Sequence, residues 1–322
     1  MEYNQRIEIE EIQKGIAQIK NELAKVIIGQ EDFVNLLLTA LLADGHVLIE
    51  GVPGIAKTLT AKLLAKTVQT GFSRIQFTPD LMPSDILGTT IFNVKNQEFE
   101  FHKGPVFSQF VLIDEINRSP AKTQAALFEV MEEKQITIDG NTYQMEEPFF
   151  VLATQNPVDQ EGTYTLPEAQ QDRFLFKIIV GYPSFEEEIK IIDTHHKSKT
   201  DKPEKLVQPV LSEGDLNKYR EIVKNVIVDD PVIRYIAELI YKTRNHTHIY
   251  LGASPRASLA TLNAAKAYAV IQGRDFVIPE DIKEILPSVL RHRIILNPEH
   301  EMEGFTEDAV IKLILESVEI PR

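Results

Sequence analysis

Apolar residues near the N-terminus recur at alternating steps of four and three, at Ile12, Ile16, Ile19, Leu23 and Val26. A helix has about 3.6 residues per turn, so this spacing places all five side chains along one stripe. The residues between them are mostly polar. The pattern therefore predicts an amphipathic helix that packs its apolar stripe onto the body of the protein.

Between residues 46 and 182, short apolar runs alternate with helical patterns. The runs cover residues 46–50, 73–77, 110–113, 149–153 and 174–180. They lack the alternation of apolar and polar residues that marks a strand with one wet face, and such runs are typical of parallel sheets covered on both faces. Strands that alternate with helices along the chain predict an α/β fold with a parallel sheet.

Two segments inside this region have the pattern of β-hairpins. The first would pair residues 89–94 with 98–102 across Lys95-Asn96-Gln97, and the second would pair 135–138 with 142–145 across Asp139-Gly140-Asn141. An Asp-Gly pair between alternating residues is a strong hairpin signal, because both residues tolerate positive φ. We expect both hairpins to be insertions into the α/β fold.

Residues 195–211 are polar and contain prolines, a composition typical of a linker. Beyond them the pattern is helical over residues 215–225, 230–244, 254–272, 279–293 and 307–317. Pro279 suits the first turn of a helix, and Glu280 and Asp281 suit the positive end of its dipole. The sequence thus predicts an α/β domain with an N-terminal helix over residues 1–194, a linker over 195–211 and a smaller all-helical domain over 212–322.

The 322 residues include no cysteine, which excludes disulfides, thiol nucleophiles and thiolate metal sites. The first residues lack the basic and apolar regions of a signal peptide. The longest apolar runs, such as residues 33–43, are shorter than the ~20 residues that span a bilayer, so we expect a soluble cytoplasmic protein. A formal net charge of −14 disfavours nucleic acid as a partner, because phosphate neutralisation needs clustered lysine and arginine.

Residues 51–58, with the sequence GVPGIAKT, have the pattern of a phosphate-binding loop. An apolar run precedes them and a helical pattern follows, so backbone N–H groups and the positive end of a helix would point at one spot. Lys57 would reach the β- and γ-phosphates of a nucleotide, and the Thr58 hydroxyl would bind magnesium. The other residues expected around the phosphates are Gly51, Pro53, Gly54, Ile55, Ala56 and Leu59.

Ala56 stands where the general pattern G-x-x-x-x-G-K-[ST] has its last glycine. A left-handed backbone at this position would cost alanine about 1 kcal/mol, whereas a right-handed backbone would cost nothing. The sequence leaves both conformations open.

The apolar run at residues 110–113 ends in two acids, Asp114 and Glu115. With a phosphate loop upstream, this is the second half of a nucleotide-hydrolysis pattern, in which Asp114 would hold magnesium and Glu115 would activate the attacking water. The alternative is a strand end whose acids face solvent or cap the following residues. The next apolar run leads to Asn156, which would bond to the γ-phosphate or the attacking water, or else begin an Asn-Pro turn.

Five segments follow one another in a recognisable order: GVPGIAKT, FVLIDEINRSP, FFVLATQNP, LPEAQQDRF and SPRA. They resemble segments of the AAA+ ATPases and, among these, of the MoxR family. The resemblance extends from about Val26 to Arg293. Loops of MoxR-like proteins tend to carry alanine at the position of Ala56, so this departure from the general pattern favours the same family.

The resemblance implies a role for each matching residue, with ATP and magnesium as cofactors. Lys57 and Thr58 match the Walker A pair, Asp114 and Glu115 match the Walker B pair, and Asn156 matches sensor 1. Ile28, Gly29 and Gln30 fall where the family packs the adenine. The α/β domain would then bind the nucleotide, and the helical domain would form its lid.

Two arginines also match the family. Arg173, in DRF, resembles the arginine finger that serves the nucleotide of a neighbouring subunit, and Arg256, in SPRA, resembles sensor 2 on the helical lid. Guanidinium groups near the γ-phosphate stabilise the charge that develops in phosphoryl transfer. The alternatives are a surface ion pair of Arg173 with Glu168 or Asp172 and a salt bridge of Arg256 at its helix start. Arg118 is a further candidate for the subunit interface.

The family implies ring hexamers that remodel partner proteins, often partners with von Willebrand factor A domains. One alternative function is a nucleic-acid motor of the helicase branch, which the net charge of −14 and the acids around the second hairpin disfavour. The other is a nucleotide-binding scaffold with little hydrolysis. Histidines at positions 195, 196, 246 and 248 lack the pattern of a metal site, and we expect them on the solvated surface.

Overall fold

The computed structural model describes residues 2–52, 54–156, 164, 166–197 and 203–321 and, from residue 8 onward, their side chains. The helices are α1 (Glu2–Ala24), α2 (Glu31–Leu42), α3 (Lys57–Thr67), α4 (Pro83–Leu87), α5 (Ala121–Glu133), α6 (Glu168–Gln171), α7 (Phe185–Lys197), α8 (Glu213–Lys224), α9 (Asp230–Thr243), α10 (Pro255–Ile271), α11 (Pro279–Leu290), α12 (Pro298–Met302) and α13 (Glu307–Ser317). The strands are β1 (His46–Gly51), β2 (Phe72–Gln76), β3 (Gly88–Asn93), β4 (Glu98–Lys103), β5 (Phe110–Asp114), β6 (Gln135–Ile138), β7 (Asn141–Gln144), β8 (Phe150–Gln155), β9 (Phe174–Val180), β10 (Ile249–Leu251) and β11 (Ile295–Leu296).

The predicted apolar runs form one parallel sheet in the order β2-β5-β8-β1-β9. Every side chain of β5 is buried, as a central strand covered on both faces requires. The observed strands begin and end within two residues of the predicted ones. The prediction of an α/β fold with a parallel sheet is confirmed.

The N-terminal helix α1 buries the predicted apolar stripe. Ile12, Ile16, Ile19 and Leu23 are each at most 3% exposed, and the helix packs against α3, α8 and α10. Val26 departs from the prediction, because α1 ends at Ala24 and Val26 lies half-buried in the turn that follows. The helix therefore contacts both the sheet-containing part and the helical part of the chain.

Both predicted hairpins are present, as β3–β4 and β6–β7. The turn of the second is shorter than predicted, because Asn141 already pairs with Ile138. Its two turn residues, Asp139 and Gly140, have positive φ angles of 50° and 78°, as a two-residue type I′ turn requires. The Thr90 hydroxyl donates to the Asp139 carboxylate at 2.6 Å, so the two hairpins contact each other.

The C-terminal helices α8, α9, α10, α11 and α13 lie in the predicted helical segments, with ends that differ by up to three residues. Helix α8 begins two residues early, at Glu213, because the Ser212 side chain accepts from the Asp215 N–H as an N-cap. The antiparallel pair β10–β11 was not predicted. Within the described ranges, no helix combines the length and the apolarity needed to cross a bilayer.

The segment between the two parts is partly helical. Helix α7 extends to Lys197, so the first three residues of the predicted linker belong to a helix. Residues 198–202 of that linker lie outside the described residues. The Val210 and Leu211 N–H groups both donate to the Thr67 carbonyl oxygen, which fastens the end of the segment to α3. The domain boundaries at residues 194 and 211 remain predictions.

Candidate functional site

The predicted phosphate loop connects Gly51, the last residue of β1, to Lys57, the first residue of α3. Ala56 has φ 61° and ψ 16°, which is left-handed. The structure thus selects the conformation that costs alanine about 1 kcal/mol. Gly54 also has a positive φ, of 88°, and such turns direct successive N–H groups towards an anion. Pro53 lies outside the described residues.

The Lys57 ammonium group folds back onto the loop. Its Nζ donates to the Gly51 carbonyl oxygen at 2.5 Å. Burial lowers the pKa of Lys57. Three nearby carboxylates oppose that shift, those of Asp114, Glu115 and Glu50. A cation and the two predicted catalytic acids therefore occupy one region at the end of β1 and β5.

The remaining loop residues are packed in place. Ile55 is 6% exposed, and its carbonyl oxygen accepts from Gln30 Nε2 at 2.8 Å. Thr58 and Leu59 lie half-buried in the first turn of α3. The loop is thereby tied to the segment that the sequence predicts to contact the adenine.

Asp114 ends β5 and is 7% exposed, so it does not simply face solvent. One carboxylate oxygen accepts from the Thr154 hydroxyl at 3.2 Å. The other pairs with Arg74 Nε at 2.5 Å. These partners come from β8 and β2, the strands on either side of β5. A cation that binds Asp114 must share this carboxylate with Arg74 or replace it.

Glu115 follows in a left-handed conformation, with φ 57° and ψ 53°. Its N–H donates to the Thr154 hydroxyl at 3.0 Å. Its carboxylate accepts from Gln76 Nε2 at 2.8 Å, and Arg118 Nη1 lies 3.3 Å from the same oxygen. The carboxylate is thus held by side chains of its own chain. The role of Arg118 at a subunit interface remains a prediction.

Asn156 directly follows β8, which lies between β5 and β1 in the sheet. Carboxyl ends of parallel strands meet at one edge, so Asn156 lies at the edge that carries Asp114 and the phosphate loop. It is half-buried. The predicted Asn-Pro turn continues into residues 157–163, which lie outside the described residues.

Arg173 lies at the opposite edge of the sheet. It precedes Phe174, which pairs with His46 at the start of β1, whereas the phosphate loop leaves the other end of that strand. Five residue steps at about 3.3 Å each separate the two ends by about 17 Å. Arg173 is therefore remote from the phosphate loop of its own chain.

Arg173 and Arg256 converge on one carboxylate, that of Glu132. Arg173 Nε and Nη2 each lie 2.7 Å from Glu132 Oε2. Arg256 Nη2 donates to Glu132 Oε1 at 3.0 Å. The ion-pair partner of Arg173 is therefore Glu132 near the end of α5, rather than Glu168 or Asp172.

Asp172 anchors this pair of arginines to the helical part. Its carboxylate pairs with Arg293 Nε at 2.6 Å and accepts from the Ser254 hydroxyl at 3.2 Å. Arg293 is 3% exposed at its side chain and also donates to the carbonyl oxygens of Phe174 and Val289. Burial lowers the pKa of Arg293, and Asp172 opposes that shift. The start of β9 and the start of α10 are thus fixed to each other.

A cavity of about 600 Å³ lies between α1, α2 and α7, and Ile28, Gly29 and Gln30 line it. Gly29 has φ 71°, and a Cβ there would lie 2.3 Å from Cδ of Glu187. A residue with a side chain at position 29 would be strained by this backbone angle and would have to displace the Glu187 side chain. Small-molecule pockets measure roughly 300–1,000 Å³, so the cavity has the size that a nucleoside needs.

The four histidines that the sequence predicts on the surface lie in two environments. His195 and His196 are exposed in the last turn of α7, as predicted. The prediction of a solvated surface is wrong for His246 and His248, which are half-buried. Their rings lie in a cluster in which the His248 and His300 centroids are 4.2 Å apart. Among the described residues, no group of three or more histidines and acids is arranged to hold a metal ion.

The sequence pattern did not indicate the contacts that several residues make in this site: Arg74, Gln76, Thr154, Glu132, Asp172 and Arg293. Arg74, Gln76 and Thr154 lie in β2 and β8, the strands that flank β5. The strand order, together with the position of Asp114, would have indicated these three residues. Glu132 is one of the acids that flank the second hairpin, and its sequence position does not indicate a contact with the two arginines.

A parallel sheet with a phosphate loop after one strand, two acids at the end of another and a following helical part is the architecture of the AAA class of ATPase domains. The family of ATPases associated with various cellular activities (AAA) matches residues 46–176, and the AAA lid domain matches residues 241–314. The second match confirms the expected helical lid.

Relatives place the chain more narrowly. Protein YeaC of Bacillus subtilis is 47% identical, with 97% of each chain covered. Chaperone MoxR1 of Mycobacterium tuberculosis is 44% identical over 98% of this chain and 84% of that protein. A crystal structure of a protein from Cytophaga hutchinsonii has a TM-score of 0.90 at 45% identity, covering 98% of this chain and 97% of that one. This chain belongs to the MoxR family of AAA+ ATPases.

Proposed function

We propose that this chain hydrolyses ATP at the interfaces of a homo-oligomeric ring. The observation that carries the proposal is the division of the site into two halves. The phosphate loop and the acids Asp114 and Glu115 lie at one edge of the sheet, whereas Arg173 and Arg256 meet near the other. In a head-to-tail ring, arginines that are remote from the phosphates of their own chain can serve those of the next subunit.

ATP binding would replace some contacts in the half of the site that holds the phosphate loop and the two acids. A phosphate oxygen would replace the Gly51 carbonyl oxygen as the partner of Lys57 Nζ. Thr58 and Asp114 supply a hydroxyl and a carboxylate oxygen, which fit magnesium because that ion keeps few protein ligands beside water and phosphate. Bound there, magnesium would neutralise charge on the β- and γ-phosphates. The adenine would occupy the cavity lined by Ile28, Gly29 and Gln30.

The proposed reaction is an in-line attack of water on the γ-phosphorus. Glu115 accepts the proton of the attacking water, while Asn156 orients that water. The bond from the γ-phosphorus to the bridging oxygen breaks, and ADP and inorganic phosphate leave. Arg173 and Arg256 of the neighbouring subunit donate hydrogen bonds to the oxygens on which charge develops. Such an arginine is worth ~10³-fold or more in rate.

We extend the proposal to the partners of the ring. The 44% identity of this chain to a chaperone supports the remodelling of partner proteins. The proposed ring is a cytoplasmic hexamer, and its proposed partners bear von Willebrand factor A domains. The charges near the second hairpin disfavour a nucleic-acid motor. Lys134, next to β6, has its Nζ 2.6 Å from Asp44 Oδ2 and 3.6 Å from Glu147 Oε1. A lysine paired in this way offers little charge to a phosphate backbone.

The first experiment measures the ATPase rate per subunit against protein concentration, with magnesium, and with and without DNA. The proposal predicts a steep rise with concentration that DNA does not change. Stimulation by DNA would favour the nucleic-acid motor. A flat rate near zero despite measured ATP binding would favour the nucleotide-binding scaffold.

Two variants assign the two halves. Glu115→Gln should bind ATP and retain it without turnover, and undiminished turnover would assign the base elsewhere. Arg173→Ala should lose turnover as a homo-oligomer. Its own phosphate loop stays intact, so it should regain activity in mixed rings with Glu115→Gln subunits, which donate intact arginines. A mixture without recovery would contradict action on the neighbouring subunit.

A further inference from the structure

Among the described residues, Glu132 is the ion-pair partner that Arg173 and Arg256 have in common. It lies one residue before the end of α5, and Arg173 and Arg256 are 41 and 124 residues away in sequence. Each carboxylate oxygen binds one of the arginines. The side chains of Arg173 and Arg256 are 29% and 58% exposed, so the two arginines are accessible from outside this chain.

The geometry leaves donors available on both guanidinium groups. Arg173 uses its Nε and one Nη2 hydrogen on Oε2, and Arg256 uses one Nη2 hydrogen on Oε1. A guanidinium group carries five N–H donors, so the contacts to Glu132 leave most of them for a second anion, as far as the described part of the chain is concerned. The Arg173 guanidinium also lies 5.9 Å from the ring centroid of the buried Phe128, which restricts its orientation further.

The charges of these three side chains also favour a carboxylate placed between the two arginines. Two guanidinium groups that approach one phosphate repel each other, and a carboxylate between them offsets that repulsion. The arginines hold the pKa of Glu132 below its ordinary value, chiefly through the hydrogen bond from Arg173. The carboxylate therefore stays ionised at neutral pH.

We propose that Glu132 is a positioning residue that holds Arg173 and Arg256 as one preformed pair for the γ-phosphate bound to the neighbouring subunit. This inference rests on the function proposed above. Without Glu132 the two long side chains would sample several rotamers and repel each other, and misplaced groups cost up to about 100-fold in rate. Glu132 itself touches neither the phosphate nor the attacking water.

The first test separates turnover from binding. Glu132→Ala and Glu132→Gln should lower kcat by about 10-fold to 100-fold and leave the KM for ATP unchanged, because the phosphate loop is intact. Glu132→Asp keeps the charge and should recover part of the loss. Glu133→Gln, an exposed neighbour on the same helix, is the matched control and should behave as wild type. Wild-type or raised turnover in Glu132→Ala would overturn the inference.

The second test asks which half of the site Glu132 serves. Equal mixtures of Glu132→Ala and Glu115→Gln subunits should regain activity, because about a quarter of the interfaces in a head-to-tail ring then combine an intact phosphate loop with an intact arginine pair. Mixtures of Glu132→Ala with Arg173→Ala should show no such recovery, because both defects lie in the same half. A general folding defect would not produce this difference.

The outcomes distinguish the proposed function from the role of Glu132. No ATPase activity in the wild type, or no recovery when Arg173→Ala is mixed with Glu115→Gln, would overturn the proposed function and this inference with it. Recovery with Arg173→Ala but not with Glu132→Ala would overturn the role of Glu132 alone. Glu132→Ala could also lower the residual kcat by the same factor when Arg173 and Arg256 are both replaced by alanine. Glu132 would then act independently of the two arginines, and its proposed role would be overturned.

Discussion

Ala56 offers a direct test of the phosphate-loop geometry through Ala56→Gly. The residue adopts a left-handed backbone immediately before α3, at φ 61° and ψ 16°. Glycine adopts this conformation without steric cost, because it has no Cβ. The substitution therefore restores the glycine of the general phosphate-loop pattern and should relieve strain that alanine carries in the folded state.

The expected magnitude follows from three opposing terms. Relief of the left-handed conformation stabilises the folded state by about 1–2 kcal/mol. The greater freedom of glycine in the unfolded chain destabilises by about 0.4–1 kcal/mol. A fully buried methylene group is worth about 0.8 kcal/mol, so loss of the half-buried methyl group destabilises by roughly a few tenths of a kcal/mol. These terms nearly cancel, so we expect Ala56→Gly to change the free energy of unfolding by about 1 kcal/mol at most.

Ala125→Gly is the matched control. Ala125 is an exposed residue in the interior of α5, where glycine costs about 1 kcal/mol relative to alanine. Urea unfolding of both variants should therefore give free energies that differ by about 1–2 kcal/mol in favour of Ala56→Gly. Equal destabilisation by the two substitutions would refute a left-handed Ala56.

Three further predictions test other parts of the structure. Burial lowers the pKa of His46 to about 4, so the unfolded chain binds more protons than the folded one between pH 6.5 and pH 4. The contribution of His46 to the free energy of unfolding is fully present above this window. The free energy of unfolding should therefore fall by about 2 kcal/mol from pH 7 to pH 5. In urea unfolding, His46→Gln should flatten this dependence, because an amide can keep the contacts to Val151 N and the Met131 carbonyl oxygen; an unchanged pH slope would contradict the assignment. Arg293→Met should lower the free energy of unfolding by about 3–5 kcal/mol, since it leaves the Asp172 carboxylate unpaired in a mostly buried site, whereas Lys197→Met at an exposed pair should cost less than about 1 kcal/mol. Lys57→Ala should abolish tight ATP binding in calorimetry, because it removes the point charge of the loop, and an unchanged affinity would exclude the phosphate-loop interpretation.

The sequence by itself determined the local structure of this protein. The stripe of Ile12, Ile16, Ile19 and Leu23 predicted α1, and unbroken apolar runs predicted the parallel strands, because helix and strand have different periods that the order of residues records. The phosphate loop and the acids Asp114 and Glu115 were also found from sequence. Each is a short segment whose spacing reflects the geometry of its own backbone.

Only the tertiary structure decided which residues meet across elements. Gln76 contacts Glu115, and Glu132 joins Arg173 to Arg256, because the strand order brings β2 beside β5 and the end of α5 beside the start of β9 and α10. The left-handed backbone of Ala56 was likewise undecided, since alanine is compatible with either conformation at a modest cost. A sequence pattern records periods along one element, whereas these contacts depend on how distant elements are ordered and packed.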